Sequence, residues 1–93
     1  MSDSPKSEFE SLRIKLEEQG NWPQLYLFKF IVPNDNQKLA QVEALFGPEA
    51  QVTLNQSRTG KFISVSAKEM MISPNEVIER YVRSTEIEGL ISL

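Results

Sequence analysis

The sequence predicts an α+β fold: a split β-α-β sandwich with element order β-α-β-β-α-β and an additional N-terminal helix. Three observations carry that prediction. The pattern strand, amphipathic helix, strand runs twice through the 93 residues. The two passes meet at one hairpin, Ser57-Arg58-Thr59-Gly60. Crossovers in such units are right-handed, which puts the first and third strands at the centre of one antiparallel sheet and both helices on one of its faces.

The leading segment comes first. Residues 1–6 are small or polar, include Pro5 and are expected to be disordered, which leaves 7–93 as a single domain whose leading helix occupies 7–20. Ser7 with Glu10 has the form of a capping box, Phe9, Leu12 and Leu16 recur at helical spacing, and Gly20 supplies a stop. The stripe is narrow and Ile14 lies off it, so this helix needs an apolar partner surface to stay folded. It either covers the open face of the sheet or swings free of it.

After Trp22-Pro23, residues 24–32 are aromatic and β-branched and end at Pro33, as a long strand does. Tyr26, Phe28, Phe30 and Val32 share the face assigned to the helices. Leu25, Leu27, Lys29 and Ile31 share the other, and Lys29 marks it as the less buried. Asn34-Asp35-Asn36 offers capping oxygens to a helix over 37–46, with a core stripe of Leu39, Val42, Leu45 and Phe46 and a stop at Gly47-Pro48.

Residues 51–56 alternate as an edge strand, with Val52 and Leu54 inward and Gln51, Thr53 and Asn55 outward. Gly60 is the hairpin residue best able to take a positive φ. Residues 61–68 alternate again: Ile63, Val65 and Ala67 face the core, and Phe62, Ser64, Ser66 and Lys68 face out. Ser73-Pro74-Asn75-Glu76 joins an N-cap serine, a proline at the first helical position and a box glutamate. The helix it opens buries Val77, Ile78, Tyr81 and Val82, and residues 87–93 return as a final strand weakened by Gly89.

Composition narrows the function classes. Thirteen acidic residues against ten basic ones give a net charge of −3, scattered along the chain, so attraction to nucleic-acid phosphates is not favoured. The absence of cysteine removes disulfides, thiolate metal sites and cysteine nucleophiles. The absence of histidine removes the usual general base near neutral pH and the commonest nitrogen ligand for metals. No segment has the charge-then-apolar pattern of a signal peptide or the ~18 apolar residues of a membrane span, so a soluble, unprocessed, cytoplasmic protein without a membrane partner is expected.

Several segments together carry a resemblance. The leading helix, the Trp22-Pro23 pair, the strand Tyr26-Leu27-Phe28-Lys29-Phe30 and the stretch Ser57-Arg58-Thr59-Gly60-Lys61-Phe62-Ile63-Ser64-Val65-Ser66 resemble the YbeD-like family of small bacterial proteins over residues 9–93. The resemblance implies a ferredoxin-like β-α-β-β-α-β fold. It also implies a comparison with ACT-type regulatory domains, which bind amino acids between subunits. The loop Pro33-Asn34-Asp35-Asn36 lacks the glycine that lets typical ACT loops approach such a ligand. The family implies no particular activity for these residues.

Candidate sites are few. Lys29 with Phe62, Ser64 and Ser66 would make a cationic spot suited to a carboxylate or phosphate, although ordinary cross-strand pairing explains the same alternation. Arg58 and Lys61 flank the hairpin and could meet an acidic partner, or simply maintain solubility. Leu25, Leu27 and Phe62 are apolar anchor points on the open face. RNA recognition by stacked bases needs an aromatic pair and a basic patch, and Phe62 alone is available.

Glu76, Glu79, Glu86 and Glu88 lack the loop spacing of a calcium site and read as solvated helix residues. Met70-Met71 reads as loop packing, since soft-metal sites would want cysteine or histidine as well. Ser57, Ser64 and Ser66 have no histidine to activate them and no phosphate-binding loop is present, so neither catalysis nor a cofactor is expected. The expectation is a small regulatory or adaptor domain acting through its open face, an edge strand or both, on a protein partner or as a homodimer. The alternative is an ACT-like sensor of an amino acid or related carboxylate.

Overall fold

The computed structural model describes residues 8–93, so the expected disorder of 1–6 and the cap from Ser7 lie outside the described residues. The described chain is a mixed α+β structure in the order α1 (Glu10–Gln19), β1 (Gln24–Pro33), α2 (Asn36–Glu43), β2 (Gln51–Gln56), β3 (Phe62–Met71), α3 (Pro74–Ser84) and β4 (Ile91–Ser92). The strands form one four-stranded antiparallel sheet in the order β2-β3-β1-β4. Its centre is the long β1–β3 ladder, from Gln24 opposite Met71 to Pro33 opposite Phe62.

Alternation along the central strands decides the layers. Phe28, Phe30 and Val32 of β1 and Ile63, Val65, Ala67 and Met71 of β3 are buried under the helices. They meet Val42 and Leu45 from the α2 segment, Val77, Ile78 and Tyr81 from α3, and Leu16 from α1. Aromatic rings organise this layer, with Phe28 packed against Tyr81 at 5.3 Å and against Phe46 at 5.5 Å between centroids. Burying rings of this size supplies the largest apolar contributions per residue and holds their edges and faces in fixed contact.

The leading helix joins the helical layer and does not cover the open face. Phe9 stacks on Tyr81 at 5.6 Å, Leu16 is buried, and the Trp22 indole N–H donates to the carbonyl of Leu16 at 3.1 Å. The N-cap of α1 is Phe9, with no side-chain cap bond; Glu10, expected in a capping box, pairs with Arg13, which also reaches Glu17 at 2.5 Å. Gly20 at φ 67° and Asn21 at φ 62° turn the chain into β1. Asparagine is among the residues that tolerate this region.

Local signals elsewhere act as their chemistry suggests. The Asp35 carboxylate accepts from the Gln37 and Lys38 amides at 2.8 and 3.1 Å, capping α2. Ser73 caps α3 through the Glu76 amide at 3.4 Å, and the Glu76 carboxylate reaches back to the Ile72 amide at 2.6 Å. Gly60 takes φ 77° in the hairpin, where its N–H donates to the Ser57 carbonyl at 3.0 Å.

Four expectations are corrected. The second helix stops at Glu43, and Leu45 and Phe46 reach the core from tight turns that follow it. Met70-Met71 is not loop: β3 runs on through both, with Met71 in the core and Met70 on the open face. Val52 and Leu54 do point to the helix side, opposite Ala67 and Val65, yet remain 38% and 42% exposed because α2 and α3 pack on the central strands and leave the β2 edge uncovered. The last strand is only Ile91–Ser92, since residues 86–90 form turns around Gly89 at φ 84°, where Pro33 crowds the backbone.

Candidate interaction face

The antiparallel registers place the predicted site residues in rows across the open face. Thr53, Ser66 and Lys29 form one row, extended by Leu93, whose N–H donates to the Lys29 carbonyl at 2.9 Å. Asn55, Ser64, Ile31 and Ile91 form the next. Gln51, Lys68 and Leu27 lie on the other side of the Lys29 row, followed by Met70 opposite Leu25. Directly opposed side chains in such ladders are contact neighbours.

The face is therefore divided lengthwise. Along β1 and β4 it is apolar, with Leu25 60% and Leu27 44% exposed, and Met70 beside them 56% exposed. Along β2 and the facing half of β3 it is polar and uncharged, made of Gln51, Thr53, Asn55, Ser64 and Ser66. Lys29 and Lys68 stand at the junction as diagonal neighbours. Every charged side chain at the open-face positions of these registers is basic, although the chain as a whole carries −3. Among the described residues neither lysine has an ion-pair partner.

The predicted candidates separate into groups. Lys29 is opposite Ser66 with Ser64 on the diagonal, but Phe62 is opposite Pro33, four positions from Lys29 along the ladder and about 14 Å away at strand rise. The imagined spot of Lys29, Phe62, Ser64 and Ser66 is thus a lysine–serine group with the aromatic ring elsewhere. Leu25 and Leu27 adjoin one another on one face, at the end of the sheet opposite to Phe62. Arg58 and Lys61 are exposed at the hairpin, which the Asn34 side-chain amide ties to the end of β1 through the Gly60 carbonyl at 2.8 Å.

Two features escaped sequence reasoning. Met70, Ile91 and Leu93 enlarge the apolar half of the face, and the continuing alternation from Lys68 to Met70 was the available signal. On the helix side, Glu69 accepts from Arg80 at 2.6 Å and from the Gly47 amide at 3.2 Å, and the Arg80 guanidinium lies 5.8 Å from the Phe46 ring centre. Both side chains are 13% exposed, and the Arg80 hydrogen bond holds the Glu69 carboxyl below its ordinary value. This pair fastens β3 to α3 and to the turn after α2. Tyr81, whose hydroxyl meets that of Tyr26 at 3.2 Å, is pushed well above the usual phenol range by burial.

Two clefts of about 320 and 260 Å³ lie on the helix side, the first lined by residues of α1 and α3, the second by residues of α2, α3 and the turns that follow them. Neither touches a predicted site residue. Among the described residues no group of three or more acidic side chains is placed to hold a metal ion, and no helix is long and apolar enough to cross a membrane. No protein-family model, curated protein or solved structure matches this chain.

Proposed function

We propose that this chain is a small, non-enzymatic, cytoplasmic regulatory or adaptor domain that uses its open sheet face to dock a protein partner. One observation carries the reading: the helices all pack on the other side, leaving an apolar strip on β1 in solvent beside two unpaired lysines. Apolar surface rimmed by polar groups is the composition of a docking site. The element order and the strand order β2-β3-β1-β4 support the ferredoxin-like class, and the sequence resemblance supports placing the chain with the YbeD-like proteins.

The partner that complements the face is an acidic amphipathic segment. Positions 25 to 31 span about 20 Å of strand, the length of about 13 helical residues. An apolar helix stripe would cover Leu25, Leu27 and Ile31, and its carboxylates would meet Lys29 and Lys68. A second copy of the same face is a poor occupant, because stacking two of them sets lysine against lysine.

The test is an amide NMR titration with a Leu- and Glu-rich amphipathic helical peptide of that length. Shifts confined to Leu25, Leu27, Lys29, Ser66 and Lys68, weakening with added salt and lost in Leu27→Asp while the fold persists, are expected. Global unfolding of Leu27→Asp would put Leu27 in the core and defeat the face assignment.

A second reading, the ACT-like carboxylate sensor, is favoured by one observation, that Lys29 has no ionic partner and stands opposite Ser66. The loop used by ACT domains is otherwise engaged here, Asn34 with Gly60 and Asp35 with the α2 amides. Saturable shifts near Lys29, Asn34 and Ser64 on adding amino acids or carboxylate metabolites would favour the sensor, and a silent spectrum would remove it.

A further inference from the structure

The two edges of the sheet are unequal. β4 offers two residues, whereas β2 offers six, all exposed, with β3 as its principal neighbour. Proteins guard such edges with lysine, proline or bulges. Gln51–Gln56 contains none of these residues and no charge at all, in a chain that is 25% charged.

The hydrogen-bond phase shows which groups are free to pair. The Ser57 N–H donates to the Phe62 carbonyl at 2.8 Å, which makes Ser57 and Phe62 a bonded pair. Bonded and non-bonded pairs alternate in an antiparallel ladder. Asn55, Thr53 and Gln51 therefore bond inward to Ser64, Ser66 and Lys68. The backbone groups of Val52, Leu54 and Gln56 point outward.

We propose that β2 pairs antiparallel with β2 of a second copy of this chain, across a two-fold axis through Thr53, so that two sheets become one. An axis perpendicular to the sheet keeps both helical layers on the same side and opposes residues of like parity. Through Thr53 it sets Val52 opposite Leu54 of the second copy, and Leu54 opposite Val52, so the two half-exposed apolar side chains that α2 and α3 leave bare cover one another. On the open face it sets Gln51 opposite Asn55 and Thr53 opposite itself. The next allowed register, through Leu54, would oppose Val52 to Gln56 and loses that match. This self-complementarity selects a second copy over an unrelated strand.

This deepens the reading above by naming a second contact and its occupant, and it rests on that reading only for the premise that the domain works through protein contacts. A six-residue edge is a small interface, below about 1,200 Å², so the dimer should be weak and concentration-dependent.

Light scattering from about 10 µM to about 1 mM is expected to show mass rising from monomer toward dimer. Leu54→Pro removes an outward N–H and leaves the β3 ladder intact, so the variant should keep its NMR fold and stay monomeric throughout. The chain has no cysteine, so Thr53→Cys introduces one thiol. Opposed non-bonded positions lie about 4.5 Å apart at Cα, within disulfide reach. Mild oxidation should link Thr53→Cys about ten-fold faster than Asn55→Cys, through the effective concentration the dimer provides.

Monomeric mass at the highest concentration, or equal cross-linking of the two variants, would overturn the proposal. A dimer that survives Leu54→Pro and dissociates with Leu27→Asp would overturn the edge pairing and leave the open face as the interface. Should Leu54→Pro fail to fold, the cysteine pair decides alone.

Discussion

Leu27 and Phe28 are neighbours on one strand and have opposite environments. The Phe28 side chain is wholly buried among Tyr26, Phe30, Phe46 and Tyr81, while Leu27 stands in solvent between Lys68 and the apolar half of the open face. Both are large and apolar, and both sit in the centre of the sheet. The difference teaches that hydrophobicity sets which residues can be buried, and that the side on which the helices pack sets which residues are. A face left bare in this way keeps its apolar residues out of the core, so they contribute little to folding.

That contrast gives its own largest test. Phe28→Ala removes a ring from the core and should cost about 3–5 kcal/mol in urea unfolding, whereas Leu27→Ala should fall within about 0.5 kcal/mol of the parent. Similar losses for the two would break the comparison between faces.

The Glu69–Arg80 pair sharpens it from the helix side. Arg80→Met should cost about 2–3 kcal/mol by leaving a largely buried carboxylate without its cation. Because the folded-state value of Glu69 is lowered, its contribution is complete above the unfolded carboxyl value of about 4.3 and is lost as pH falls through the lower folded value. Denaturation midpoints followed down through pH 4 should fall less steeply in Arg80→Met than in the parent.

The smallest effect concerns the short edge. Gly89 has φ 84°, and a Cβ there would meet Pro33 Cγ at 2.9 Å, so Gly89→Ala should cost about 1–2 kcal/mol. Amide exchange should quicken first at Leu93, whose N–H bonds the Lys29 carbonyl. An unchanged exchange rate would show that the turn before β4 does not hold this edge in place.

Much of the fold was legible because its signals are local. Alternation in Tyr26-Leu27-Phe28-Lys29-Phe30 separates the faces, Asp35 and Ser73 mark helix starts through their own side-chain oxygens, and Gly60 marks the hairpin. The misses share a different cause. Gly89 met a proline 56 positions earlier in the chain, a contact that no local pattern records. The grouping of Lys29 with Phe62 failed because parity assigns a face and says nothing of position along the ladder.

The sequence by itself determined the two faces of each central strand, the hairpin and the helix caps, because side-chain alternation and capping act over a few residues. Only the tertiary structure decided that the leading helix stacks on Tyr81 and leaves the sheet open, that Glu69 meets Arg80 and Gly47, and that β2 stays bare along its edge. Those outcomes depend on how layers compete for one another's apolar surface. That competition is settled by the whole chain, and no single segment records it.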